Sequence, residues 1–215
     1  MNTLRFTLVT DGTTDAALIY PLRWLLVENR VQRPIEPAWA DLRALPEPPT
    51  GLESRIAAAV SLYPCDLLFV HRDAEREPRE RRLEEIRHAI QKVSADLFSG
   101  RPYVCVVPVR MTEAWLLFDE RAIRGAAGNP NGSVPLALPP VSKVEGLPDP
   151  KETLHDLLIK ATDKTARRLK NFAVGQAIHR LVELIEDFSP LRSAPAFSTL
   201  EAELREVIAT AGWEK

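Results

Sequence analysis

The sequence predicts an α/β protein, with a mainly parallel sheet flanked by helices and a helical C-terminal third. Three observations carry this. Short apolar runs of β type at 4–9, 66–71 and 103–109 alternate with amphipathic helical stretches, the order that right-handed β-α-β crossovers need. The runs at 66–71 and 103–109 are apolar nearly throughout, as strands covered on both faces are. Acidic residues follow the ends of the runs, and the carboxyl edge of an open parallel sheet is where such folds hold ligands.

Each element follows from local pattern. Leu4, Phe6 and Leu8 alternate with Arg5, Thr7 and Val9, a period of two that ends at the turn pair Asp11-Gly12. Leu18, Leu22, Leu25 and Leu26 then fall at helical spacing, with Thr13, Thr14 and Asp15 offering capping oxygens. Pro21 removes one backbone donor, so this helix has a short first turn or bends there. Five prolines between 34 and 49, around Trp39 and Leu42, predict an extended connection with at most one short edge strand and no helix. Leu52, Ile56, Ala59 and Val60 mark a helix that Pro64 stops, and the strand 66–71 follows. Pro78 opens a helix whose stripe of Leu83, Ile86, Ile90, Val93 and Leu97 runs to Gly100.

Beyond the strand at 103–109, residues 114–118 look helical and 125–150 are rich in Gly, Pro, Asn and Ser. A loop of that length is a candidate lid or partner surface. Helices are expected at 151–161, 173–187 and 199–211. The domain reading is an α/β core over 1–124, a loop over 125–150 and a helical region over 151–215 that packs on the core.

Composition narrows the function classes. At 215 residues, with 45% hydrophobic and 27% charged residues, the chain is a folding globular protein. A net charge of −2 gives no overall basic field, so a nucleic-acid contact must use a local patch. Cys65 and Cys105 show no zinc spacing and suit buried small hydrophobes in a reducing cytoplasm. The first apolar stretch carries Arg5 and Thr7 and lacks a signal-peptide core, and no run of about 18 apolar residues occurs, so a cytoplasmic location without membrane contact is expected.

The chemistry-bearing residues sit beyond the strands. Asp11 follows the first run, Asp73 and Glu75 follow Val70-His71-Arg72, and Glu113 follows the last. In a parallel sheet these points share an edge, and carboxylates gathered there repel unless a cation joins them. Oxygen ligands without a histidine or cysteine set favour Mg²⁺ or Mn²⁺. Each residue also has a plainer role: Asp11 as a turn residue, Asp73, Glu75 and Glu113 as acids near helix starts, and His71 as a hydrogen-bonded core residue. Arg72 either pairs with a neighbouring acid or offers its guanidinium to a phosphate. Lys160, Lys164, Arg167, Arg168 and Lys170 form a basic cluster, which is either a solvated face or a phosphate contact. Asp149-Pro150 is a strong helix start, and Lys151 after it has no dipole reason to be there.

Four segments together carry a resemblance: Val9-Thr10-Asp11-Gly12-Thr13-Thr14-Asp15, Val70-His71-Arg72-Asp73-Ala74-Glu75, Pro108-Val109-Arg110-Met111-Thr112-Glu113-Ala114-Trp115-Leu116-Leu117 and Asp149-Pro150-Lys151. They resemble domain-of-unknown-function family 4276, which is similar to the Toprim domains of topoisomerases, primases and overcoming-lysogenization-defect nucleases. The resemblance implies a Toprim/Rossmann-like fold and Mg²⁺ (or Mn²⁺) held for phosphodiester chemistry. It further implies a bacterial anti-phage setting, often beside an ATPase partner. Asp11 stands where Toprim enzymes carry Glu, and Glu75 where the second Asp of an Asp-x-Asp pair is expected.

The expectation is therefore a Toprim-like nuclease. Asp11, Asp73, Glu75 and Glu113 would be its metal and catalytic residues, and Arg72, Lys151, Lys164, Arg167 and Arg168 its phosphate contacts. The alternative is a non-catalytic Toprim-like partner subunit of an ATPase.

Overall fold

The computed structural model describes residues 3–98, 100–164, 169 and 172–214. The chain divides into two compact units, Met1–Val107 with Thr199–Lys215, and Pro108–Ser198. These seams fall at Val107 and Ser198, whereas composition marks residues 124 and 150.

In the first unit, β1 (Leu4–Val9), β2 (Ile35–Trp39), β3 (Leu67–His71) and β4 (Tyr103–Val106) form one sheet in the order β2-β1-β3-β4. Every pairing is parallel, so the α/β, Rossmann-like class holds. Helices α1 (Ile19–Glu28), α2 (Leu52–Leu62), α3 (Arg79–Lys92) and α4 (Ala95–Phe98) connect the strands. Phe6 lies beside Leu67 and Val9 beside Val70, so β1 and β3 release their chains side by side at the carboxyl edge.

Burial explains the strands. All five residues of β3 are buried, and in β1 only Arg5 is exposed. Phe6 and Phe69 meet edge to face with centroids 5.2 Å apart, both fully buried. Phe69→Ala is expected to cost about 3–5 kcal/mol by the cavity it leaves, measured by urea unfolding of purified protein; a loss under about 1 kcal/mol would mean that the site collapses freely.

Proline positions follow the same logic. Pro37 lies in β2, an edge strand, where its missing N–H breaks no central ladder. Pro21 is the third residue of α1, within the first turn whose N–H groups have no helical partner.

Three local expectations change. Residues Leu42–Ala44 form a 3₁₀ turn inside the proline-rich stretch. The helix expected to reach Gly100 breaks at Val93, which is extended at φ −66° and ψ 135°. The Ser94 carbonyl then starts a new turn by accepting from the N–H groups of Leu97 and Phe98. That break rotates Phe98 inward and leaves Leu97 39% exposed, although the 3.6-residue stripe pointed to Leu97. Finally, β4 is shorter than the apolar run, ending at Val106 just before the seam at Val107 and Pro108.

Cys65 and Cys105 are free and buried. Burial pushes both thiols up, Cys105 to about 12, so they behave as small hydrophobes.

The second unit contains 3₁₀ turns at Thr112–Leu116, Val141–Gly146 and Ser189–Ser193, with helices α5 (Glu120–Ala126), α6 (Pro150–Ala161) and α7 (Val174–Leu184). Helix α8 (Pro195–Ala211) begins in this unit and continues into the first. Trp115 is buried edge to face against Phe197, and its indole N–H donates to Glu145. Glu145 also accepts from the Ala196 N–H at 3.0 Å, Val144 is fully buried, and Arg124 donates to the Val134 carbonyl at 2.7 Å. The 125–150 stretch, expected as a candidate lid, is thus pinned within its own unit. Asp149 caps α6 by accepting from the Glu152 N–H at 2.8 Å, with Pro150 at the first helical position. No described helix is long and apolar enough to cross a membrane.

Candidate metal centre

The adjacent ends of β1 and β3 build a cluster of one imidazole and two carboxylates. Beyond β1 the chain turns sharply. The Thr10 hydroxyl donates to the Gly12 carbonyl at 2.8 Å, and Asp15 Oδ2 accepts the Gly12 N–H at 2.9 Å. A Cβ on Gly12 would lie 2.8 Å from Asp15 Oδ2, so a larger residue there would displace this carboxylate from its present position. Asp15 ends with its side chain 8% exposed, beside the last residue of β3.

That residue is His71, whose side chain is fully buried. Its Nε2 lies 3.2 Å from Asp73 Oδ1 and its Nδ1 lies 3.7 Å from Asp15 Oδ2. Burial is the largest single influence on the imidazole and favours the neutral form. The hydrogen bond to Asp73 and the charges of Asp15, Asp73 and Asp11 together outweigh it, raising the pKa above 6.5. A proton on His71 therefore supplies the positive charge that the paired carboxylates call for.

A divalent ion suits the same place. One ligand atom from each of Asp15, His71 and Asp73 lies within 4.8 Å of the others, the one such group among the described residues. Ligands about 2.0–2.3 Å from one ion are at most about 4.6 Å apart, so a small closure completes the set. The residues fit an ion. Beside the oxygen ligands expected from the sequence the group offers an imidazole, which in its neutral form would join two carboxylates in a donor set that suits Mn²⁺ and other first-row divalent ions as well as Mg²⁺.

Of the four carboxylates expected at the site, Asp73 belongs to this cluster. Asp11 shares the edge, but its carboxylate is held by Arg55 and by Arg72, whose Nε is 2.7 Å from Oδ2. Arg72 also reaches Glu85 at 3.8 Å. Glu75 sits at φ +54° with its side chain 65% exposed, 3.5 Å from Arg82. Arg82 fixes this turn, its Nε donating to the Asp73 carbonyl at 3.1 Å while its Nη1 donates to both carboxylate oxygens of Glu85. Glu113 is buried in the second unit, in the turn Thr112–Leu116. Lys151, the second residue of α6, and Lys164 are exposed in that unit. Arg167 and Arg168 lie outside the described residues.

Two members of the cluster escaped sequence reasoning as ligands. His71 had a signal: it is the one ionisable residue inside an otherwise apolar, fully buried strand, where an imidazole needs a strong partner. Asp15 had almost none. It looked like a helix cap, yet the turn Thr14–Leu18 has no side-chain cap, and Asp15 closes the preceding turn instead.

Size alone would direct attention elsewhere. An open trough of about 970 Å³ lies at the opposite edge, where Asp66 and Pro102 precede β3 and β4. It sets Arg33, Arg87 and Arg101 against Asp66, Glu203 and Glu206, a balanced rim without the cluster at the carboxyl edge.

No family model matches the chain, and no curated protein or solved structure matches it either. The Toprim-like resemblance accordingly rests on the four segments quoted above.

Proposed function

We propose that the chain is a Toprim-like, divalent-metal-dependent phosphodiesterase acting as a nuclease on DNA or RNA. One observation carries this: Asp15, His71 and Asp73 bring ligand atoms within 4.8 Å of one another at the carboxyl edge, beside two guanidiniums that share one carboxylate. A bound Mg²⁺ or Mn²⁺ would supply Lewis-acid activation of the phosphodiester and a more acidic water. The remaining work falls to the chain. Asp15, whose oxygen is fixed by the Gly12 N–H, and Asp73 bind and orient, and His71 binds once its proton leaves. Arg55 and Arg72 already converge on the Asp11 carboxylate, an anion that stands in for a phosphate edge. On this reading phosphate displaces Asp11, freeing it to take a proton from the attacking water. Glu75, beyond the same strand end, is a further carboxylate of the reading, whereas Glu113, Lys151 and Lys164 belong to the other unit.

The second reading, a non-catalytic partner of an ATPase, is favoured by the same ion pairs. Asp11, at the position of the Toprim glutamate, is neutralised by two arginines. Incubating labelled single- and double-stranded DNA and RNA with Mn²⁺ or Mg²⁺ separates the two. We expect cleavage that EDTA abolishes and that Arg72→Ala slows roughly 100-fold, the scale for losing one transition-state charge contact. Mn²⁺ binding without cleavage supports the subunit reading, and absence of Mn²⁺ binding overturns the metal centre.

A further inference from the structure

We propose that the hollow beside the metal centre, between the ends of β1 and β2, is a subsite for an unpaired nucleobase. The inference rests on the phosphodiesterase reading and names its substrate class: a nucleotide unit whose base is free of a duplex.

The hollow has a volume of about 350 Å³, within the ~300–1,000 Å³ range of small-ligand sites. Trp39, Arg43, Pro48 and Pro49 form much of its wall, and Asp11 and Arg55 line it as well. The proline rings and the planar indole are apolar and rigid, so a base entering there loses water without the walls losing much conformational freedom. Trp39 is fixed by its ring N–H, which donates to Thr10 Oγ1 at 2.9 Å. The Arg43 guanidinium lies over the Trp39 ring, 5.3 Å from its centroid. Two hydrogen bonds to Asp41, at 3.1 and 3.2 Å, hold it in place.

Arg43 is 51% exposed. A planar cation fixed over an indole and open to a hollow is a stacking surface for a nucleobase of any sequence. A sugar, with no π face, gains nothing comparable from it.

The position gives the base its phosphate. Arg55 and Asp11 line this hollow, and the Asp11 carboxylate is the one that Arg55 and Arg72 share. A base seated by Arg43 thus carries its phosphate toward the guanidinium pair. A base inside a duplex is stacked on both faces and cannot enter, so the fitting substrates are single strands or free nucleotides.

Intrinsic tryptophan fluorescence provides the test, with AMP, ribose 5-phosphate, a five-residue oligodeoxyadenylate and a short duplex as probes, and Trp39→Phe to assign the signal. We expect AMP to bind at least about 5-fold tighter than ribose 5-phosphate, as stacking contributes. Arg43→Ala and Arg43→Lys should both abolish that preference, the second because Lys keeps the charge and loses the plane. An oligonucleotide tighter than AMP identifies a strand as the source, and equal binding identifies a free nucleotide; both support the subsite. Equal binding of AMP and ribose 5-phosphate, a preference that survives Arg43→Ala, or a duplex binding as well as the single strand overturns it. Mn²⁺ titration of the same protein keeps the two ideas apart: base preference without Mn²⁺ binding sinks the metal centre alone.

Discussion

Asp73→Asn is expected to reduce Mn²⁺ affinity at least about 100-fold by calorimetry, because even groups that only orient a ligand account for 10–100-fold. The amide keeps the shape of the side chain, and Asp73 is 27% exposed, so the fold should tolerate the change. A structural role and a ligand role make opposite demands on stability. Mn²⁺ at 100 times its Kd stabilises the protein that binds it by about 2.7 kcal/mol, roughly 5–10 °C in Tm for a chain of this size. If Asp73 is a ligand, that increment vanishes in the variant. If Asp73 serves only to hold His71, Tm drops by the same amount with and without Mn²⁺, and the assignment of Asp73 as a ligand fails.

Opposite pH slopes are expected for the Tm of the metal-free protein and for the Tm gained on adding Mn²⁺. His71 has a folded-state pKa above its unfolded value of about 6.5. Its stabilising contribution is therefore complete below pH 6.5 and is lost as pH rises through the folded value. In EDTA, Tm should decline across that window. An ion needs the imidazole neutral, so protons compete with it, and the Tm gained from saturating Mn²⁺ should grow over the same window. The difference between the two curves, taken on one protein at each pH, cancels other titrating groups that ignore the metal. A Mn²⁺ increment that stays flat or shrinks with rising pH would remove His71 from the ligand set.

Residue types show why the fold was more legible than the site. The alternation of Leu4, Phe6 and Leu8, and the helical spacing of Leu52, Ile56 and Ala59, are patterns within one element, and the structure follows them at Leu4–Val9 and Leu52–Leu62. Pro78 and the Asp149-Pro150 pair placed helix starts for equally local reasons. Errors began where one turn of backbone overrode a repeat, as at Val93, where the extended residue turned Phe98 inward in place of Leu97.

At the site the carboxylates at 11 and 73 were found because a parallel sheet sends every strand end to one edge. Their partners were not readable. Asp15 and Asp11 are four residues apart and chemically alike, yet one is buried against His71 while the other is taken by Arg55 and Arg72.

Hydrophobic period, proline placement and turn residues act within a few positions, so the chain states its own strands, helices and parallel class. Which charge meets which is a different kind of fact. It depends on the register that sets Val9 beside Val70, about sixty residues away, on a glycine that lets Asp15 turn back, and on arginines from α2 and from the end of β3 competing for one carboxylate. Charges interact across space with whatever folding brings near, and that is why His71, marked in the sequence only as a lone ionisable residue ending an apolar strand, stands at the centre of the cluster.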